Sequence, residues 1–221
     1  MVDKIVRSKR KTLSLHIESS GEVIVRAPLL MPQLLIDRFV NRKSAWIKKH
    51  KSKILSRLEE NPERRFEPGD KFHFLGEEYE LEFSDNAGRS IVLEGNFVTR
   101  PATAEEIKKR LRKWYRDEAR FYLTERLDIC AEQYNLPYKE LKITSAAGRW
   151  GSCTSKGSVN FPWRIMMCPE NIIAYVIAHE MAHLVHLDHS ARFWREVEKM
   201  CPTCRDDRKW LHANEHKFKG F

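Results

Sequence analysis

The stretch ENIIAYVIAHEMAHLVHLDHSARFW, residues 170 to 194, runs from an apolar helical pattern through a cluster of histidines into a second helical pattern. On a helix, residues four apart share a face one turn apart, so His179 and His183 can present two imidazoles to one ion. Glu180 then stands beside that ion rather than on it. This is the mechanical content of H-E-x-x-H: two metal ligands, and a carboxylate that can take a proton from activated water. The pattern lies late in a strongly apolar helix, where an unpaired charged Glu180 would be expensive. That placement favours a metal site over a set of surface histidines.

A third ligand has two candidates, His186 and His189. His186 is about 10 Å of helical rise from His179, and Zn–N bonds of about 2 Å cannot easily collect ligands spread that far along a straight helix. His189 would be farther still, about 15 Å, if the helix continued. It comes within reach if the chain turns after Leu187. Ser190 is a reasonable N-cap for a new helix, ARFWREVEKM, whose Phe193, Trp194, Val197 and Met200 form an apolar face. The candidate ligands are therefore His179, His183 and His189 around one zinc ion per chain, with Glu180 as the catalytic base. The spacing H-E-x-x-H-x5-H is that of metzincins, but His186 stands where their pattern has glycine, so the turn must be built differently.

Outward from this centre, the pattern is α+β. LSLHI (13–17) alternates, SSGE turns, and VIVRAP (23–28) returns as a second strand. Pro32 suits the first turn of a basic helix carrying Leu35, Phe39, Trp46 and Ile47. NPERRFEPGD (61–70) reads as a connection, and KFHFLGEEYELEFS and RSIVLEGNFVTR as hairpin strands. Thr103 and Glu106 fit a capping box opening a helix expected from about 104 to 134, with Ile107, Leu111, Trp114, Tyr115, Ala119 and Tyr122 at helical spacing. Short strands with tight turns are expected over 141–165, and Pro169 opens the histidine-bearing helix. The expected division is a β-rich amino-terminal part with an inserted basic helix, residues 1–100, and a zincin-like catalytic unit, residues 101–221, which begins with the long helix.

Composition sets the limits. The 221 residues are 42% hydrophobic and 32% charged, the profile of a soluble globular chain with enough length to bury a core without disulfides. No run reaches the ~18 apolar residues of a membrane span, and the start has no apolar leader segment, which leads to the expectation of a cytoplasmic protein with no membrane partner. Cysteines 130, 153, 168, 201 and 204 are odd in number and scattered, consistent with free thiols. The C-x-x-C at Cys201 and Cys204 lacks the second pair of a four-cysteine site and is read as structural or incidental. Lys+Arg 40 against Asp+Glu 31 gives a net charge of +9, bunched at 7–11, 41–53 and 108–116. Such clusters are either solvated helix faces or candidates for nucleic acid or nucleotide phosphates; charge alone names no ligand.

RWGSCTSKGSVNFPWRI (149–165), followed by YVIAHEMAHLVHLDHSARFW (175–194), resembles the YgjP-like metallopeptidase family, minimal zincins distantly similar to the SprT-like group. RSKRKTLSLHI and GEVIVRAP are similar to that family's opening hairpin, so the resemblance covers most of the chain. It implies that His189, not His186, is the third zinc ligand, and that the strand after Arg149 and Trp150 offers its edge to an extended peptide. Arg149 and Trp150 either line the cleft or anchor the strand. Asp188 replaces the family's usual Asn, and Pro162 stands where Asn is expected, which removes a backbone donor there. Arg149, Tyr175 and Trp210 are candidates for an extra oxyanion donor, and Cys153 is read as a buried structural thiol.

The function expected is a zinc-dependent hydrolase, a metallopeptidase cutting a peptide or protein. The alternatives are a metal-dependent nucleotide pyrophosphohydrolase, although no P-loop is present, and a SprT-like protease associated with nucleic acid. A binding module with structural zinc is disfavoured, since such a site is normally closed by a fourth protein ligand and none stands nearby in sequence.

Overall fold

The computed structural model describes residues 2–18, 20–60 and 64–218, with the side chains of 57–60 left out of the description. The fold is α+β: strands dominate the amino-terminal part, a long helix follows, and helices dominate the carboxy-terminal part. By packing, the chain divides into two compact units, Met1–Glu63 and Arg64–Phe221.

In the first unit, β1 (Lys4–Ser8), β2 (Ser14–Ile17) and β3 (Val23–Pro28) form a sheet of order β1-β3-β2. Strand β3 is central because Val23, Val25 and Ala27 are fully buried, while β1 pairs parallel to it as an edge. Helices α1 (Gln33–Arg42) and α2 (Ser44–Glu60) follow, broken at Lys43 where the sequence reads as one helix. Part of the basic charge here is engaged: Arg7 donates to the Met31 carbonyl at 2.6 Å, and Lys51 pairs with Asp3 at 3.2 Å. Residues 61–63 of the expected connection lie outside the described residues.

The second unit opens with β4 (Lys71–Phe74), β5 (Glu77–Phe83), β6 (Val92–Glu94) and β7 (Asn96–Thr99), in the order β4-β5-β7-β6. The division at 63/64, rather than near residue 100, has a packing cause. Phe72, Leu81 and Phe97 of this sheet share one core with Ile107, Leu111 and Tyr115 of the long helix α3 (Ala104–Tyr134). The turn of the β4–β5 hairpin requires Gly76: its φ is +91°, and a Cβ there would come 2.9 Å from the Cα of Pro169, at the start of the histidine-bearing helix. Helix α3 starts with the expected Thr103–Glu106 capping box and stops at Asn135 in the left-handed conformation. Residues 107, 111, 115, 119, 123 and 127 of α3 make a fully buried stripe. On its exposed side, Arg110 donates to the Arg100 carbonyl and Arg116 to the Ile143 carbonyl, so part of that basic cluster is used within the fold.

A second sheet, of β8 (Glu140–Thr144), β9 (Ser152–Cys153) and β10 (Ser158–Pro162), has the order β8-β10-β9. Strand β9 is therefore an edge. Pro162 ends β10, where a missing N–H costs the ladder least. A 3-10 segment, Trp163–Met167, leads into α4 (Glu170–Ala182), which is buried on nearly every side and adjoins β9. Helices α5 (Ala191–Met200) and α6 (Cys204–Asn214) complete the unit. Among the described residues, no helix is long and apolar enough to cross a membrane.

Candidate metal centre

Helix α4 positions the first two histidines and then ends abruptly. His183 is its C-cap, and the ladder tightens there: His183 N–H donates to Glu180 O at 3.2 Å, Leu184 to Met181 at 3.0 Å and Val185 to Ala182 at 3.1 Å. These bonds to the residue three back wind the last turn tighter than an α-helix, so regular helix stops at Ala182 rather than continuing to Leu187. The early stop brings His189 back over the helix end. Ser190 occupies the N-cap position of α5 without a side-chain cap bond; its hydroxyl instead engages Asp188, whose carboxyl is held below its ordinary pKa.

One ligand atom each from His179, His183 and His189 lies within 4.8 Å of the others. The Nε2 atoms of His179 and His189 are 3.2 Å apart. Two ligands on one tetrahedral zinc, each at about 2.0–2.1 Å, would stand about 3.3 Å apart, so the donors already hold a metal-like spacing. His183 Nδ1 lies 2.9 Å from the His186 carbonyl. Donation to that carbonyl fixes the tautomer and leaves Nε2 of His183 for an ion. The contribution of His186 is thus its backbone oxygen, and its side chain is outside the cluster. Fully buried Phe193 backs all three imidazoles, with ring centroids 4.9, 4.5 and 4.8 Å from His179, His183 and His189.

The electrostatics suit neutral donors. Burial, then the neighbouring His183, His189 and Arg208, lowers the pKa of His179 to about 4. His189 is lowered as well, first by burial. Glu180 is 5% exposed, and its Oε2 has no hydrogen-bond partner among the described residues. Burial raises its pKa to about 8, against the opposing pull of the Cys153 backbone and Arg149. Ionised in that position, the carboxyl group would be an unbalanced buried charge, which a nearby cation would relieve. Three imidazoles and an adjacent carboxyl therefore fit a divalent ion of borderline softness.

Two hollows flank the cluster. One, of about 410 Å³, is bounded by Trp150, Gly151, Tyr175, His179, Glu180 and Trp194, among others. The other, of about 300 Å³, takes in Ser152, Cys153, His183 and Leu187. Trp150 thus lines the cleft, whereas Arg149 is exposed and does not, though its charge reaches Glu180. Tyr175 lines it too, its phenol kept protonated by burial, with a pKa of about 12. Trp210 stacks on Phe218 with centroids 6.1 Å apart and is not among the lining residues. Cys153, pushed up to about 11 by burial and by Glu180, is a poor thiolate.

Three participants carry no individual signal in the sequence reading: Gly151, Phe193 and Arg208. Gly151 sits inside the quoted R-W-G-S-C segment, where it reads as a turn residue, and Phe193 reads as ordinary core of α5. Cys201 and Cys204 are buried at the α5–α6 junction. Cys201 donates to the buried carboxylate of Asp207 at 3.5 Å, and Thr203 and Asn171 each donate to it at 2.6 Å. This small network ties α6 to the start of α4.

A sequence model described as YgjP-like, metallopeptidase domain, matches residues 11–214. Among solved structures, the metallopeptidase zymogen of Pyrococcus abyssi abylysin is similar at 21% identity, over 42% of this chain and 94% of that chain, with a TM-score of 0.38. No curated protein matches the chain.

Proposed function

The chain belongs to the YgjP-like metallopeptidase family, which matches residues 11–214, and as one of its metal-dependent peptidases we propose that it uses one zinc ion held by His179, His183 and His189, with Glu180 as general base. The observation that carries this reading is the 3.2 Å approach of the His179 and His189 Nε2 atoms beside a buried, unpartnered Glu180 oxygen. Zinc bound there would polarise the scissile carbonyl and acidify a water molecule.

Glu180 does the proton work. Its raised pKa belongs to the metal-free state; an adjacent cation pulls a carboxyl group down, leaving a carboxylate able to accept a proton near neutral pH. The same group then returns the proton to the departing amine. Gly151, having no side chain, leaves room for Glu180 between α4 and the strand. Edge strand β9 offers backbone N–H and C=O groups to an extended peptide, which would lie across the cleft as an added strand. Tyr175, protonated and on the cleft wall, is the chain's candidate donor to the developing oxyanion. Trp150 supplies an apolar surface for a substrate side chain.

The test is hydrolysis of a peptide library by wild type and by Glu180→Gln. The variant is expected to keep its metal and lose turnover by about a hundredfold or more. Undiminished turnover would remove Glu180 from the role of base.

A further inference from the structure

Two helix faces meet beside the metal cleft. On α5, Trp194, Arg195 and Glu198 recur at helical spacing, and on α6 Arg205, Arg208, Lys209 and His212 do the same, so each set lies on one face. Together they line a hollow of about 830 Å³. Four permanent cations face one carboxylate there, and that carboxylate, Glu198, is engaged by Arg205 at 2.7 Å. Lys209 pairs only at the exposed surface, with Asp206 at 3.0 Å. Arg195 and Arg208 make no ion pair among the described residues, and the Arg208 guanidinium lies over the Trp194 ring, 4.7 Å from its centroid.

The groove is continuous with the metal cleft, because Trp194, Arg208 and His212 line both. A molecule lying across the metal centre therefore runs into this cationic hollow. Resting on the peptidase reading above, we infer that the α5–α6 groove is a substrate subsite for carboxylates, selecting peptides with an acidic segment to one side of the bond that is cut. Guanidinium groups hold carboxylates through paired N–H donors, and a Trp floor covers the aliphatic part of a Glu or Asp side chain. A concave site between two helices, with Glu198 in its wall, suits a single peptide strand better than a continuous polyphosphate backbone. The carboxylate is either a side chain or the peptide's own carboxyl terminus.

The experiment measures binding by fluorescence anisotropy on the full-length, zinc-loaded Glu180→Gln protein. Three labelled short peptides are compared: one with a run of Glu and blocked ends, one with Gln in place of Glu, and the Gln peptide with a free carboxyl terminus. The Glu peptide is expected to bind about tenfold tighter than its blocked Gln counterpart, an advantage that shrinks with salt. Tighter binding of the free-carboxyl peptide instead assigns the subsite to the chain terminus and supports the same chemistry. The preference should vanish in Arg195→Glu/Lys209→Glu, whose changes lie on exposed side chains and whose circular dichroism should match the parent. Equal binding of all three peptides, or a preference that survives the double variant, would overturn the inference. Tighter binding of a thymidine oligonucleotide of equal charge would also overturn it, reassigning the groove to nucleic acid. Cleavage by wild type is scored separately. Cleavage without acidic preference sinks the subsite and leaves the peptidase; acidic preference with no peptide cleaved does the reverse.

Discussion

A Cβ placed on Gly151 would lie 2.6 Å from Cγ of Glu180 and 2.7 Å from its Cδ. Gly151 stands immediately before edge strand β9, and the nearest atoms that a Cβ there would meet all belong to the buried Glu180 side chain, so the carboxyl keeps its position only because residue 151 has no side chain. Gly151→Ala is expected to displace the carboxylate and lower kcat/KM by about a hundredfold, since an error of about 1 Å in a catalytic group is felt at that scale. Metal content, which depends on the imidazoles, should be unchanged. Near-normal kcat/KM in this variant would mean that the observed placement of Glu180 is not needed for turnover.

Glu180 also makes the metal-free protein's stability depend on pH. Its folded-state pKa, about 8, lies above the ordinary carboxyl value of 4.5, so the folded form holds this proton more tightly than the unfolded form. The stability associated with the neutral acid is full below pH about 4.5, falls as pH rises, and is gone above about 8. Metal-free Glu180→Gln, which cannot ionise, should therefore melt close to wild type at pH 5 and about 3–8 °C higher at pH 8.5. A melting difference that stays constant across this window would contradict the buried, uncompensated carboxylate.

Phe193 is fully buried and touches all three imidazoles of the cluster. Phe193→Ala removes both core volume and the surface that fixes the rings. Its expected cost is about 3–5 kcal/mol of stability, together with weakened zinc affinity by chelator competition. Phe193→Leu restores most of the volume and should recover most of the stability but less of the affinity. Equal recovery of both would reduce Phe193 to an ordinary core residue.

What the sequence exposes and what it hides follow from the range of the interactions involved. The capping box at Thr103, the long stripe of α3 and the His179–His183 pair depend on local spacing, and each is readable along the chain. The break in α4 is not: its i-to-i+3 bonds form because His189 and α5 fold back, so the helix ends at Ala182 while the apolar pattern runs on to Leu187. Strand β1 goes unread because an exposed edge strand has little to bury, so KIVRS carries no alternating apolar pattern. Helix α6 escapes notice because its buried side is made of Cys204, Asp207 and Leu211, a poor apolar signal. Phe193 and Gly151 are visible only as core and turn residues, since their partners, three histidines and a glutamate, arrive from elsewhere in the chain.

Metal per chain, measured by elemental analysis on untagged wild type, His186→Ala and His189→Ala, tests the central claim most directly. The geometry predicts about one zinc per chain in wild type and in His186→Ala, whose backbone carbonyl still receives the His183 Nδ1 proton, and almost none in His189→Ala. Equal loss in both variants, or no metal in wild type even after zinc is supplied, would contradict the three-histidine site and the hydrolytic chemistry built on it.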